Sequence, residues 1–292
     1  MTARLDETAA EFEPHRRRLM GIAYRMLGSL SEAEDMVQEA WLRWNGADRT
    51  DLREPGAWLS RVVTRLCLDQ LKSARARRET YVGPWLPEPV LDETALAADA
   101  AGERAEDISV AFLLALERLS PLERAAFLLH DVFDMEFAEV AQALDREEAA
   151  CRQLASRARG HLKSARPRFA VPPADGERLV RAFLAAAASG DAAAFARLLS
   201  EDAVLHSDGG GKRLAALNVI TGRDRVARFF LGVARKLPWE RCALRQQAVN
   251  GMPGLVLIEP DGGPQTFAFQ IAGGVITAIY VVRNPDKLKH LS

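Results

Sequence analysis

The sequence contains 292 residues, of which 48% are hydrophobic and 27% are charged, and its formal net charge at neutral pH is -1. This composition is typical of a globular chain with two or three domains, and no apolar stretch is long enough to span a bilayer. The small net charge conceals strongly basic and strongly acidic segments. A nucleic-acid-binding surface must therefore be sought locally.

The three cysteines, Cys67, Cys151 and Cys242, lie far apart in the sequence. They form no Cys-x-x-Cys pair and have no neighbouring histidine cluster, so we interpret them as small core residues in a reducing compartment. We expect no disulfide, no metal and no other cofactor. The amino-terminal segment MTARLDETAA lacks the apolar run of a signal peptide, and the expected location is the cytoplasm.

Two amphipathic helices are predicted at the start of the chain. The first runs from Phe12 to Leu27 and ends at Gly28, a residue suited to the left-handed position after a helix. The second runs from Ser31 to Trp44, with Ser31 and Glu34 as a capping box. Its apolar residues recur at helical spacing, and they are Ala33, Val37, Ala40, Trp41 and Trp44. The opposite face is polar and acidic, as an ordinary solvated helix would be.

A polar loop from 45 to 56 precedes a third helix, predicted from Ala57 to about Arg78. Leu59, Val62, Leu66 and Leu71 are expected on its buried side. Four basic residues share another face, namely Arg61, Arg65, Lys72 and Arg75. A solvated face and a phosphate-binding face explain this row about equally well. Trp58 beside the loop favours nucleic acid, because aromatic rings stack on unpaired bases.

Residues 79–108 form an acidic linker. Pro84, Pro87 and Pro89 disfavour a continuous helix and favour extended backbone. Such a segment is usually only a tether. The two aromatic residues and the motif WLPEP, residues 85–89, predict instead that this linker docks on another part of the chain.

A second helical domain is predicted over 109–168. Ser120, Pro121 and Glu123 indicate a capped helix start, and a short helix covers Phe137 to Leu144. Asp145 and Glu148 are then expected to cap a third helix after a tight turn. Its predicted inner face consists of Cys151, Leu154, Ala158 and Leu162; its outer side carries Arg152, Gln153, Ser156, Arg157, Arg159 and Lys163. This is the pattern of a helix-turn-helix, whose second helix enters the major groove.

After a linker at 169–176 the pattern changes to mixed helix and strand over 177–292. Helices are predicted at 177–188, 191–199 and 224–237, and strands at 203–206, 242–249, 254–259, 266–272 and 275–282. The glycine pairs between the last strands indicate hairpins. The predicted fold class is therefore two all-α domains followed by an α+β domain with a curved antiparallel sheet.

The order of these segments resembles the sigma factors of the sigma-70 family, in the extracytoplasmic-function class that keeps only regions two and four. The resemblance rests on AEDMVQEAWLRW at 33–44, the Trp58-led basic helix, the acidic linker and the arginine-rich second helix of the helix-turn-helix. It makes residues 1–78 the region 2 domain and residues 109–168 the region 4 domain. It implies that the second helix binds the clamp of RNA polymerase core. The implied polymerase contacts are Asp35, Gln38, Glu39 and Trp41.

The same resemblance assigns the two basic helices to promoter DNA. The implied contacts with the minus-ten element are Trp58, Arg61, Arg65, Lys72 and Arg75. On the helix-turn-helix, Arg152, Gln153 and Ser156 are expected to reach base edges of the minus-35 element. Arg157, Arg159 and Lys163 are expected to hold phosphates.

Three motifs place the chain near the sigma factors that carry a SnoaL-like carboxy-terminal extension, whose cone resembles nuclear transport factor 2. They are WLPEP, DGGGK at 208–212 and NPDKL at 284–288. The resemblance implies that the extension regulates the sigma domains from the same chain. The expected regulatory contacts, with the first helical domain or the linker, are Trp85, Leu86, Pro87, Asp208, Gly209, Gly210, Gly211, Lys212, Asn284, Pro285, Asp286 and Lys287.

Two alternatives remain for the carboxy-terminal cone. Relatives of this fold include enzymes, and His206, Asp208 and Glu259 are candidates for acid or base groups. Fold analogy is a weak argument for activity, so we expect no enzyme. Small-molecule sensing is the other alternative. A deep pocket with converging polar side chains would favour these alternatives, whereas a cone filled by Phe and Leu would favour a scaffold.

Overall fold

The structure is a computed structural model that describes residues 2–50, 52–91, 108–163, 172–238, 241–261 and 263–291; side chains of 2–7 and 73–79 are not described. The chain divides into two compact units. The first comprises 1–79, 92–107 and 112–166, and the second comprises 80–91, 108–111 and 167–292. Among the described helices, none combines the length and apolar character needed to cross a membrane.

The first unit is entirely helical. Its helices are α1 (Thr2–Leu27), α2 (Leu30–Gly46), α3 (Pro55–Glu79), α4 (Val110–Leu116), α5 (Pro121–Phe127), α6 (Phe137–Leu144) and α7 (Glu148–Leu162). The first two residues of α4 belong to the second unit. Arg124 on α5 is buried and joins the two halves of this unit. Its guanidinium donates to the carbonyl of Met26 on α1 at 2.5 Å and to Glu117 at 2.7 Å. Desolvation lowers the pKa of Arg124 to about 10.

The connection between α1 and α2 is tighter than the sequence predicted. Gly28 adopts the expected left-handed conformation, with φ 68°. The helix cap is Ser29, whose hydroxyl accepts from the Glu32 amide at 3.2 Å, so the prediction of Ser31 as the cap was wrong. Because Gly28 turns the chain at once, Ser29 already has the extended backbone that a cap requires. Ser31 lies within the first turn of α2.

The buried row of α3 differs from the predicted one at two of its four positions. Leu59 and Leu71 are buried as expected, but Val63 and Cys67 complete the row, and Val62 and Leu66 are only half-buried. α3 packs against α1, α2 and α6. Because several helices surround it, its buried side is broader than one amphipathic stripe.

The helix-turn-helix consists of α6 and α7. The capping box of Ser120 and Glu123 at the start of α5 is present, and α6 has the predicted bounds. Asp145 does not cap α7. It ends α6 in the left-handed conformation, with φ 53°, and Glu147 is the residue before α7. The buried face of α7 contains Ala155 in place of Leu154, together with Cys151, Ala158 and Leu162.

The second unit wraps one curved sheet around three helices. These are α8 (Pro173–Ser189), α9 (Ala192–Arg197) and α10 (Arg223–Ala234); the strands are β1 (Leu199–Asp208), β2 (Ile220–Thr221), β3 (Ala243–Gln246), β4 (Gly254–Ile258), β5 (Pro264–Ala272) and β6 (Val275–Val282). The strand order is β2-β1-β6-β5-β4-β3. The predicted run of antiparallel strands is present as β3 to β6. β1 joins this run by pairing with β6 in parallel, which the sequence did not indicate.

The core of this unit lies between the concave face of the sheet and the helices. Phe183 of α8 is central, with its ring about 5 Å from those of Phe195, Phe230 and Phe269. The β5–β6 hairpin turns at Gly273 and Gly274, whose positive φ angles of 59° and 77° match a two-residue hairpin turn. Along each strand, every second residue points to the same face of the sheet. This alternation decides which side chains line the interior of the unit.

Candidate functional site

The polar face of α2 is open to solvent. Asp35 and Gln38 are exposed, and Glu39 is half-buried and pairs with Arg43 at 3.1 Å. Trp41 is also half-buried, with its ring 5.2 Å from that of Phe12. Leu42, which the sequence interpretation did not single out, exposes 56% of its surface on this helix. The face therefore combines carboxylates with an uncovered leucine.

The basic row of α3 is divided by its surroundings. Lys72 is exposed and pairs with Asp69 at 2.7 Å, and Arg61 is half-buried. Arg65 donates to the carbonyls of Gln142 at 3.0 Å and Ala143 at 3.2 Å. These carbonyls belong to the last turn of α6, where helices leave acceptors unsatisfied.

The aromatic residue at the start of α3 is part of the packing of the first unit. Trp58 is half-buried, with its ring 5.6 Å from that of the fully buried Trp44. Part of its surface thus remains accessible. The side chain of Arg75, the last of the predicted minus-ten contacts, lies outside the described residues.

All six predicted contact residues of α7 are exposed, namely Arg152, Gln153, Ser156, Arg157, Arg159 and Lys163. Two of them are engaged within the unit. Arg152 pairs with Glu148 on its own helix and stacks over the Phe137 ring at 5.1 Å. Arg159 forms a double hydrogen bond with Asp131 at 2.7 and 3.0 Å, which raises the pKa of Arg159.

In the second unit, residues 80–91 lie against the end of β1 and the carboxy-terminal tail. The centre of this contact is Asp208, which is fully buried. Its carboxylate accepts from the Tyr81 hydroxyl at 2.6 Å, the Leu86 amide at 2.9 Å and the Lys287 ammonium at 2.8 Å. Burial and the hydrogen bond to Asp208 raise the pKa of Tyr81, so its hydroxyl remains a donor.

The tail completes this arrangement, which we call the Asp208 cluster: Tyr81, Leu86, Asp208, Asn284 and Lys287. Lys287 also donates to the Leu86 carbonyl at 2.5 Å, and its ammonium lies 4.5 Å from the Trp85 ring centre. Asn284 donates to the Tyr81 hydroxyl at 2.8 Å. Each charge in the cluster is therefore compensated and hydrogen-bonded, as buried charges require.

The glycines after Asp208 allow the loop to fold tightly beside the tail. Gly210 has φ 59°, and a side chain there would collide with Asn284; a side chain on Gly209 would collide with the Arg213 carbonyl. Lys212 pairs with Asp286 at 2.5 Å, and this hydrogen bond lowers the pKa of Asp286. Pro285 opens the short 3-10 turn that carries Asp286 and Lys287.

A second contact holds the other end of the 80–91 segment, and the sequence interpretation missed it. Asn250 exchanges backbone and side-chain hydrogen bonds with Val90, and its amide group donates to the carbonyl of Ile108 at 3.0 Å. Leu86 and Pro87 are buried between the two contacts, and Trp85 is half-buried. The only signal in the sequence was Asn250-Gly251, a turn dipeptide.

The three candidate catalytic residues do not meet. His206 stacks on Tyr280 at 5.3 Å, and burial lowers the pKa of His206. Ser207, its neighbour on β1, lines a cavity in the cone, and Glu259 lines it as well. Because adjacent residues of a strand point to opposite faces, His206 faces away from that cavity. Asp208 is committed to the Asp208 cluster.

Comparison with known protein families matches three successive parts of the chain. Residues 12–77 match sigma-70 region 2, residues 109–162 match sigma-70 region 4, and residues 180–287 match the SnoaL-like domain. The ECF RNA polymerase sigma factor SigJ of Mycobacterium tuberculosis is 44% identical over 95% of this chain and 92% of its own length. The chain is an extracytoplasmic-function (ECF) RNA polymerase sigma factor.

Other similarities extend over the same length. The probable ECF sigma factor SigI of Mycobacterium tuberculosis is 33% identical, over 98% of this chain and 96% of its own. The crystal structure of SigJ matches with a TM-score of 0.78 and 38% identity, over 96% of this chain and 98% of that one. The predicted family and the SnoaL-like α+β fold of the extension are thus confirmed. Sigma factors bind RNA polymerase core and promoter DNA.

Proposed function

We propose that the SnoaL-like domain of this sigma factor regulates transcription initiation in cis by holding the linker between regions 2 and 4. The Asp208 cluster carries the proposal. It binds Tyr81 and Leu86, and Asn250 binds Val90, so the segment 80–91 of the linker is attached near both of its ends. Residue 79 ends α3 of region 2, and the linker continues directly from it.

The physical basis of this regulation is a restriction of conformational freedom. A free linker lets regions 2 and 4 sample many relative arrangements. An attached linker excludes the arrangements in which the attached segment would have to move. Because the regulatory domain is on the same chain, it acts at a high effective concentration without high intrinsic affinity. Binding of core polymerase and promoter would have to supply the free energy that releases the linker.

Transcription with an Asp208→Asn variant tests this function. The amide keeps the shape of the side chain but removes the charge that compensates Lys287, so the linker should be released more easily. We expect more promoter-specific transcript from reconstituted holoenzyme. A decrease would instead give the domain a supporting role, and unchanged transcription would contradict regulation through this cluster. Asp202→Asn is the matched control, since Asp202 is an exposed residue of the same strand.

The residue assignments of the sigma domains are part of the same proposal. Exposure of Asp35 and Gln38 supports α2 as the polymerase-binding helix. Exposure of Gln153, Ser156 and Arg157 supports α7 as the minus-35-binding helix. The minus-ten assignment is supported by the accessible side chains of Arg65 and Lys72 on α3. Contact of the SnoaL-like domain with regions 2 and 4 themselves stays a prediction.

We also propose that the chain acts in the cytoplasm and is not an enzyme. The location follows from its function, because RNA polymerase and promoter DNA are there. The second point is supported by the orientation of His206 away from Glu259 and by the engagement of Asp208 in the Asp208 cluster. The pairing of Glu259 with Arg283 at 2.5 Å supports it as well. A carboxylate held in an ion pair is poorly suited to act as a general base.

A further inference from the structure

The cone of the SnoaL-like domain is not filled by its own side chains. A cavity of about 650 Å³ lies between the concave face of the sheet and helices α8 and α10. Its wall is mainly apolar, with Phe183, Phe229, Leu255, Phe267 and Val281 among the lining residues. Binding sites for small organic molecules have volumes of about 300–1,000 Å³ and similar walls. The volume therefore suits one small molecule.

Two polar side chains of the wall are buried and directed into this cavity. Ser207 is 3% exposed and Gln265 is 6% exposed. Within the described part of the chain, the Ser207 hydroxyl has no hydrogen-bond partner, and Gln265 uses only its amide nitrogen, which donates to Glu259 at 2.8 Å. Buried polar groups normally find a partner. A hydroxyl and a carbonyl oxygen are thus available to a bound molecule.

Strand register brings these groups to one end of the concave face. Ser207 lies opposite Val281, which lies opposite Phe267, and Gln265 is two residues from Phe267 on β5. Residues two apart on a strand share a face. The polar end is also electrically compensated, because Glu259 is paired with Arg283 at 2.5 Å. A charged ligand group would lose its hydration at this end, and the charges of Glu259 and Arg283 already compensate each other.

The exposed residues that line the cavity are both apolar and basic. Leu214 and Val233 line it with 87% and 41% of their surfaces exposed. Arg228 and Lys236 stand at the rim and are exposed, so their charges are screened by solvent. The solvent-exposed part of the wall therefore offers apolar surface beside these two cations.

We propose that this cavity binds an uncharged, mainly apolar small molecule with a hydroxyl group, which accepts a hydrogen bond from Ser207 and donates one to Gln265. The apolar body lies among the phenylalanine and aliphatic side chains. This site is separate from the Asp208 cluster, and its occupancy can be measured without polymerase or promoter.

Equilibrium dialysis of the full chain with three probes tests the proposal. The probes share one ring system: 2-naphthol carries a hydroxyl, naphthalene carries none, and 2-naphthoate carries a negative charge. We expect one 2-naphthol per chain, bound more tightly than either of the others. Failure of all three to bind, or a preference for 2-naphthoate, would overturn the proposal.

Variants assign the binding to this cavity. Ser207→Ala and Gln265→Met should each weaken 2-naphthol binding about five- to tenfold and leave naphthalene binding unchanged. Gln270→Met is the matched control, since Gln270 is on the same strand and bonds Tyr280 outside the cavity. Gly232→Phe should abolish binding of all probes, because Gly232 lines the cavity and has open space beside it. Equal binding of 2-naphthol to every variant would refute the site.

Discussion

At the scale of single residues, Lys287 illustrates how the second unit depends on one buried pair. Its ammonium bonds the fully buried Asp208 and the Leu86 carbonyl, and it lies close to the rings of Tyr81 and Trp85. Removing one partner of a buried pair costs about 3–5 kcal/mol, because the remaining charge is left without compensation. The neighbouring Lys289 is 78% exposed in its side chain and pairs only distantly with Asp286.

We therefore predict different results for Lys287→Met and Lys289→Met in amide hydrogen exchange. Loss of about 3 kcal/mol in Lys287→Met should accelerate exchange of the Leu86 amide on the order of a hundredfold. Lys289→Met should leave it unchanged. Equal protection in both variants would show that the ion pair does not hold the linker.

We predict that the stability of the second unit depends on pH through His206. Burial lowers the pKa of His206 in the folded state, so between the folded and unfolded values the unfolded chain binds more protons. The stabilising contribution is complete above the ordinary histidine value and is lost as the pH falls toward the folded one. His206→Phe should keep the stacking on Tyr280 and flatten this dependence. Thermal unfolding measured from neutral to acidic pH checks it, and parallel curves for the two proteins would contradict it.

At the scale of elements, Arg65 and Arg159 each bond a distant part of the first unit besides presenting a charge. Arg65 binds the last carbonyls of α6, and a cation there also interacts favourably with the helix dipole. Arg65→Ala should lower the stability of the first unit by about 1 kcal/mol. Lys72→Ala, at an exposed position of the same helix, should not change it. Urea unfolding measures both, and an equal loss would refute a special role for Arg65.

A matched pair on α7 separates DNA binding from stability. Arg157→Ala should weaken holoenzyme binding to a minus-35 fragment and reduce the salt dependence of binding by about one phosphate contact, without altering thermal unfolding. Arg159→Ala should also lower the unfolding temperature, because it removes both hydrogen bonds to Asp131. An unchanged salt dependence in Arg157→Ala would remove Arg157 from the set of phosphate contacts.

The sequence was most informative where local patterns decide structure. The bounds of α6 and β6 followed from periodicity and turn residues, and Gly28 and the Ser120 box from cap chemistry. Interactions between distant residues were less accessible. Asn250 meets Val90 across 160 positions and Arg65 meets Gln142 across 77, and neither pair has a local signature. The parallel pairing of β1 with β6 likewise depends on the assembled sheet.

At the scale of the whole molecule, the linker is the segment on which the proposed regulation depends. It follows region 2 in the chain, precedes region 4, and is bound by the SnoaL-like domain through the Asp208 cluster and Asn250. The tail motif NPDKL supplies Asn284 and Lys287 to that cluster. Three parts of the sequence, near residues 81–86, 208 and 284–287, thus meet, although 203 positions separate Tyr81 from Asn284.

A reversible covalent link between the linker and the DGGGK loop tests cis regulation most directly. A Cβ atom at Gly211 would lie 3.3 Å from Cβ of Val82, close to the distance that a disulfide spans. The double variant Val82→Cys, Gly211→Cys, in a Cys242→Ser background, should transcribe less when oxidised than when reduced, because the linker cannot leave. Each single cysteine variant should be insensitive to oxidation. Equal or higher transcription from the oxidised double variant would contradict the account.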